Sequence, residues 1–280
     1  MGRRLAIKVQ YLGSQFFGWQ RQANHRSVQA DLETAIASRA GHGVVIHGAG
    51  RTDTGVHAAA QVAHFDTTSP IPVERWPMVL NNCLPSDLSV LEAAEVPTTW
   101  HARFSATWRR YRYLILQQDQ RDVFWDPYVW HHRQGLDAKA MQAALHSLLG
   151  DQNLEAFRLA GSKRRHSWVT VQDVRCERQG SLIAIEVQAS GFLYRMMRLL
   201  VGTLVFVGRG ELTVPDFIRL WQERQLLGTR FRLTVPPQGL CLLGIGYAED
   251  PFRMGNRGSP PFSLPVFPPP LHLLTNWSVS

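Results

Sequence analysis

The segment GAGRTDTGVHA, residues 48–58, sets Arg51 two positions before Asp53 on a stretch broken by Gly48, Gly50 and Gly55. An oriented, ionised carboxylate is a nucleophile or a general base, and a nearby guanidinium keeps it ionised. A turn residue is the simplest other reading of Asp53, since Asp is favoured in bends. An aspartic protease would need a second carboxylate to share a proton, and the sequence holds no other D-T-G or D-S-G. A glycosidase of the usual kind also needs two carboxyl groups, and this neighbourhood supplies one. His47, His57 and His64 suggest a metal, but spacings of ten and seven residues match no common ligand pattern.

Ordered elements must hold this loop at both ends. LAIKVQY alternates Leu5, Ile7, Val9 and Tyr11 against Ala6, Lys8 and Gln10, the period of a half-buried strand. Ser27 to Ala40 puts Val28, Leu32, Ala35 and Ile36 on one helical face, with Ser27 as cap and Gly41 as stop. VVIHG reads as a short strand entering the loop and QVAHFD as another leaving it. From Ala106, TWRRYRYLILQ sets Tyr111, Tyr113 and Ile115 against Arg110, Arg112 and Leu114. A capped helix is expected over 137–150, a hairpin turning near Gln179 and Gly180, and an apolar helix from Leu193 to Val207. Thr213 with Pro215 opens another helix through Trp221, and GLCLLGIGY reads as a closing strand. Strands and helices mix without regular βα alternation, which predicts an α+β fold of antiparallel sheets carrying helices on one face. The expected division is 1–105, 106–249 and a Pro-rich extended tail over 250–280.

Composition narrows the partner. The 280 residues carry 30 Lys+Arg against 22 Asp+Glu, a net +8 that suits a polyanionic partner such as nucleic acid or an anionic membrane surface, with plain solubility charge as the simplest other reading. Only Lys8, Lys139 and Lys163 are lysines, and arginine is the residue whose fork grips phosphate oxygens in pairs. Cys83, Cys176 and Cys241 are scattered, which fits a reducing cytoplasm and suggests neither disulfides nor zinc. No apolar run is long enough to cross a bilayer, so a soluble protein is expected. Basic and aromatic residues interleave in FFGWQRQ, HARFSATWRRYRY and GSKRRHSW, a combination that reads as RNA contact. Taken singly, Phe104, Trp108 and Tyr113 are better explained as core.

YLGSQFFGWQRQ, SVQADLE, GAGRTDTGVHA, QVAHF, HARFSATWRRYRY and YRMMRLLVGTL stand in an order and spacing that resembles the tRNA pseudouridine synthase A family. The resemblance runs from about Leu5 to Tyr247, and the tail after Asp250 matches nothing in it. It implies the pseudouridine synthase fold, with two similar α+β halves facing a basic cleft. It also implies isomerisation of uridine to pseudouridine in the tRNA anticodon stem-loop, at positions thirty-eight to forty, without metal, nucleotide or organic cofactor. The family's catalytic aspartate falls on Asp53, the arginine of the same motif on Arg51, its stacking tyrosine on Tyr111 and its carboxylate-pairing arginine on Arg198. A uracil-pocket leucine falls on Leu240 by a looser alignment. The resemblance further implies a cytoplasmic homodimer in which one tRNA, held at stem-loop and elbow, touches both subunits. In YRMMR some relatives carry histidine at one or both of the first two positions, so Tyr194 and Arg195 receive no catalytic role; Thr54 stands where many have Ala.

On this reading one carboxylate suffices, because no water is added. Asp53 attacks the sugar or removes a ribose proton, two routes the sequence leaves open. Flipping the base costs a few kcal/mol, and stacking on Tyr111 would return about 1 to 3 kcal/mol. Arg198 would orient Asp53 and keep it charged, and Arg51 would hold the flipped nucleotide through its phosphate. The rival readings are a catalytically silent RNA-binding protein on the same scaffold and an RNA glycosidase that releases free uracil.

Overall fold

The alternation of LAIKVQY is realised in β1 (Arg3–Tyr11), whose Leu5, Ile7, Val9 and Tyr11 are buried on one side. The computed structural model describes residues 2–159, 166–224 and 229–252. The Pro-rich end and most of GSKRRHSW lie outside the described residues. Ser27 caps α1 (Val28–Ala40) by accepting from the Ala30 N–H, and Gly41 ends the helix in the left-handed conformation. VVIHG forms a strand only over β2 (His47–Gly48). Both backbone groups of Ile46 are taken by α1 side chains instead: its N–H donates to Glu33 at 3.1 Å and its carbonyl accepts from Gln29 at 3.3 Å.

After the loop come β3 (His57–Thr67), α2 (Trp76–Asn81) and β4 (Leu88–Val96). The chain continues through β5 (Ala106–Gln117), β6 (Trp130–His132), α3 (Ala138–His146) and β7 (Gly150–Asn153). The helix expected over 137–150 is correctly capped by Asp137 but stops at His146. There the N–H groups of Ser147, Leu148 and Leu149 bond three residues back, tightening the last turn before the chain enters β7. The hairpin of β8 (Trp168–Gln179) and β9 (Leu182–Ala189) turns through Gly180 as expected. Then follow α4 (Met196–Gly208), α5 (Val214–Gln222), which Thr213 caps, and β10 (Leu240–Tyr247).

All ten strands join one mixed sheet of order β4-β1-β3-β10-β5-β9-β8-β7, with β2 on β3 and β6 on β5. The closing strand therefore closes nothing at an edge. It lies in the middle, parallel to β3 over the pairs Cys241 with His57 and Leu242 with Ala58, and antiparallel to β5. The five α-helices among the described residues all bury their apolar residues in one core on a single face of this sheet. α4 is apolar on nearly every side, and Leu199 to Val207 is core within one chain. The opposite face is crossed by ion pairs, among them Arg4 with Asp66 at 2.8 Å, Arg110 with Asp173 at 2.9 Å, and Arg112 with Glu186. Several arginines that composition offered to a polyanion are thus spent on the sheet.

The segment 229–235 lies across α4, where the Phe231 carbonyl accepts from Thr203 Oγ1 at 3.2 Å and the Val235 N–H donates to the Arg198 carbonyl at 3.3 Å. Gly202 permits this approach, since a Cβ there would stand 1.9 Å from the Leu233 carbonyl oxygen. Gly202→Ala is therefore expected to cost about 1 to 3 kcal/mol through overpacking, lowering Tm by a few degrees or more. Thermal unfolding followed by circular dichroism checks this; an unchanged Tm would show that the segment does not press on α4.

Candidate active site

Residues 49–56 run between β2 and β3, and several of their backbone groups are fastened to other segments. The Ala49 carbonyl accepts from Arg109 at 3.1 Å, and the Gly50 carbonyl from Gln61 at 2.9 Å. The Thr52 carbonyl accepts from the Trp19 N–H at 3.1 Å, and the Thr52 hydroxyl meets the Tyr11 hydroxyl at 2.8 Å. Beyond Asp53 the Gly55 N–H donates to the Phe16 carbonyl at 3.2 Å, and the Val56 N–H closes a turn on the Asp53 carbonyl at 3.1 Å. Gly55 has φ +79°, a conformation that other residues adopt only at a cost. His57 then locks the exit: its Nδ1 accepts from the Gly13 N–H at 2.9 Å and its Nε2 donates to the Pro127 carbonyl at 3.0 Å.

These contacts change the reading of FFGWQRQ. Phe16 and Trp19 are buried and hold the Asp53 loop; Arg21 pairs with Glu33 yet stays exposed, as does Phe17, stacked on His25 at 4.1 Å. HARFSATWRRYRY divides in the same way. Arg109 is spent on the carbonyls of Ala49, Arg103 and Ser190, and Tyr113 is fully buried with its hydroxyl on the Pro236 carbonyl. Phe104, expected in the core, is 76% exposed because its loop precedes β5 and its ring rests only on His101 and beneath Arg103.

Asp53 and Arg198 come together from distant parts of the chain, with Arg198 Nη1 3.7 Å from Asp53 Oδ2. Arg198 stands on the first turn of α4, and its Nε donates to the Val235 carbonyl at 2.7 Å, which aims the rest of the guanidinium. Burial pushes the Asp53 carboxyl above its ordinary value of 3.8, and Arg198, then Arg195, pull it part of the way back. Burial likewise lowers Arg198, so both partners report desolvation that their attraction does not wholly offset. The guanidinium stays charged throughout the working range. Arg198 therefore favours the ionised form of Asp53, as expected, but burial is the larger influence and acts the other way.

Tyr111 on β5 lies close enough to Asp53 for the carboxylate to disfavour ionisation of its phenol, although burial is the main cause of that upward shift. It is only 8% exposed, with Phe192 edge-on at 4.7 Å, so the ring surface open to a base is small. Leu240 is buried on the same sheet face, but register sets it across from Tyr113; the residue across from Tyr111 is Leu242. Arg51 does not reach Asp53. It is exposed and, among the described residues, makes no ion pair or side-chain hydrogen bond.

Sequence reasoning passed over Arg195, which precedes α4 at φ +57°, a left-handed conformation costing roughly 1 to 3 kcal/mol outside glycine. An unassigned non-glycine residue beside the pairing arginine of YRMMR was the available signal. Among the described residues no group of three or more His, Cys, Asp or Glu could hold a metal ion. His47, His64 and His101 do gather, but through ring contacts, His47 stacked on His64 and His101 edge-on to it, with His64 lowered to about 4 by burial and then by its cationic neighbours. His57 is elsewhere, on Gly13 and Pro127.

A sheet with helices on one face and a single carboxylate gripped by arginine beside a buried tyrosine agrees with what sequence comparison finds. Residues 7–105 and 144–248 match the family model described as tRNA pseudouridine synthase, and the chain belongs to that family. It is 57% identical over 251 residues to the tRNA pseudouridine synthase A of a Synechococcus strain, covering 89% of this chain and 85% of the relative. The protein of the same name from a Nostoc strain is 54% identical over 251 residues, covering 89% and 88%. That of Thermosynechococcus vestitus is 51% identical over 275 residues, covering 97% and 96%. This last alignment extends past Asp250, so the tail is not wholly without a counterpart.

The opposing influences on Asp53 predict its titration. Carboxyl carbon NMR of the labelled protein should place its pKa above 3.8, and Arg198→Gln should raise it further by removing the principal stabiliser of the charged form. Any step that needs the carboxylate is then retained at high pH and lost as pH falls through that raised value. A titration at or below the ordinary value would contradict the burial argument.

Proposed function

We propose that this protein isomerises uridine to pseudouridine in the anticodon stem-loop of tRNA, with Asp53 as the reacting carboxylate. The observation that carries this reading is the solitude of Asp53. The charged groups that act on it are Arg198 and Arg195, with no second acid among them. Hydrolysis of a glycosidic bond uses a second carboxyl group to manage water, whereas isomerisation breaks the N-glycosidic bond, turns the uracil and joins its carbon to the same sugar. Asp53 serves either as nucleophile at the sugar or as base toward a ribose proton, and both routes begin with the ionised form that Arg198 favours.

The other site residues take their places around this step. The flipped base stacks on the uncovered part of Tyr111, with Leu240 in the apolar wall on the same sheet face. Arg51, free of protein partners among the described residues, takes a phosphate. The relatives' names carry tRNA as the substrate, and the net +8 supports a polyanion. We extend the reading to a cytoplasmic homodimer that holds tRNA at stem-loop and elbow, on family membership alone. We keep the division into halves 1–105 and 106–249 as part of the same reading. Among the described residues no helix is long and apolar enough to cross a membrane.

Purified protein incubated with unmodified tRNA transcript should create carbodiimide-dependent reverse-transcription stops in the anticodon stem-loop. Asp53→Asn should abolish them while changing RNA affinity by no more than several-fold. No stops with the wild type despite tight binding would favour the silent RNA-binding protein, and free uracil would favour the glycosidase. Tyr111→Phe should keep most of the activity, whereas Tyr111→Ala should lose stacking worth about 1 to 3 kcal/mol, roughly ten-fold or more in kcat/KM. Equal activity of the two variants would remove the stacking role.

A further inference from the structure

Among the described residues the part-buried arginines have acceptors almost without exception. Arg26 grips Asp87 through two bonds of 2.7 and 2.8 Å, Arg112 holds Glu186, Arg109 is shared among carbonyls, and Arg198 holds Val235 and Asp53. Arg232 has one buried nitrogen without a partner, but its Nη2 donates to the Arg158 carbonyl at 3.0 Å. Arg195 differs. Its Nε is buried and unpartnered, and its side chain makes no hydrogen bond or ion pair with any described residue. Its backbone is in the left-handed region, shared by only two other non-glycine residues among those described, Asn24 and Arg224. Strain and an unsatisfied donor at one residue, adjoining a reactive carboxylate, mark a group arranged for something the protein itself does not supply.

Charge indicates what is missing. Asp53 is one negative charge, and Arg198 already pairs with it. Arg195 adds a second guanidinium near enough to act electrostatically on both members of that pair, so the site carries a surplus positive charge. Its guanidinium lies 5.4 Å from the ring centre of Tyr194, which is 42% exposed, so the charge sits toward the mouth of the site rather than beneath it. A planar fork with spare positive charge fits a phosphodiester.

Resting on the tRNA-modifying function above, we propose that Arg195 forms a phosphate-binding subsite, holding the backbone of the nucleotide whose base enters beside Tyr111. The left-handed backbone and the buried Nε set the direction of the side chain, and the phosphate meets the terminal nitrogens of the fork, which are not closed off. Such a contact anchors the sugar while the base detaches and turns, so its loss should weaken binding and slow turnover together.

The test is the salt dependence of binding to unmodified tRNA transcript by wild type, Arg195→Ala, Arg195→Lys and Arg195→Gly. Arg195→Gly suits the left-handed backbone and so separates loss of the guanidinium from loss of folding, which thermal melts monitor. Arg195→Ala and Arg195→Gly should raise Kd about ten-fold at low salt and reduce the slope of log Kd against log salt by about 0.7 to 0.9, one phosphate contact. Arg195→Lys should keep the slope with a smaller loss of affinity, since it retains the charge but not the fork. Folded Ala and Gly variants with the wild-type Kd and slope would overturn the proposal. A wild type that makes no pseudouridine yet shows the Arg195-dependent slope would sink the enzymatic reading and leave the subsite standing.

Discussion

A buried negative charge in a protein whose substrate is a polyanion is unfavourable twice, through desolvation and through repulsion of the ligand. The contact between Asp53 and Arg198 answers both. It offsets part of the burial that would otherwise neutralise the carboxylate, and it cancels the charge the approaching phosphates would meet. Arg198 can do this only because it is aimed. The Val235 carbonyl takes its Nε, and the segment bearing Val235 reaches α4 only because position 202 has no side chain. A substitution at Gly202, remote from the chemistry, bears on the charge of Asp53 through this chain of contacts.

The carboxylate side is held as firmly. Tyr11, Phe16 and Trp19 meet the loop from one side, Gln61 and Arg109 from the other, and His57 fixes its exit. A loop fastened at so many backbone positions has little entropy left to lose when substrate arrives, which is how preorganisation favours catalysis. Much of the molecule's arginine is structural, lacing the helix-free face of the sheet and tying loops. Net charge is therefore a poor measure of the surface presented to RNA.

Local signals carried far in this sequence. Ser27 and Gly41 mark the two ends of α1, the alternation around Tyr111 gives β5, and GRTDTGVHA gives the loop with its carboxylate. What stayed hidden depends on long-range partners. Nothing in VVIHG announces that Glu33 and Gln29 take the backbone of Ile46, and nothing in GLCLLGIGY places that strand centrally rather than at an edge. Aromatic residues in basic segments read alike from sequence. Whether each supports the loop, as Trp19 does, or faces solvent, as Phe104 does, is decided by the segment it meets. Arg195 was the hardest to read, because its significance lies in an acceptor that is missing rather than in a contact that is present.

The central seat of β10 has a consequence for how the protein comes into being. β3 can pair with β1, and with β2 at Ala63 and His64, soon after these are synthesised, but its other edge at His57 and Ala58 stays open until the chain has been made through β10. The segment that aims Arg198 arrives only just before that strand. On the ribosome, therefore, the loop bearing Asp53 waits beside an unpaired strand edge through most of translation, a condition that invites association with other chains. The Asp53 carboxylate acquires its counter-charge in nearly the same interval that the sheet is sealed.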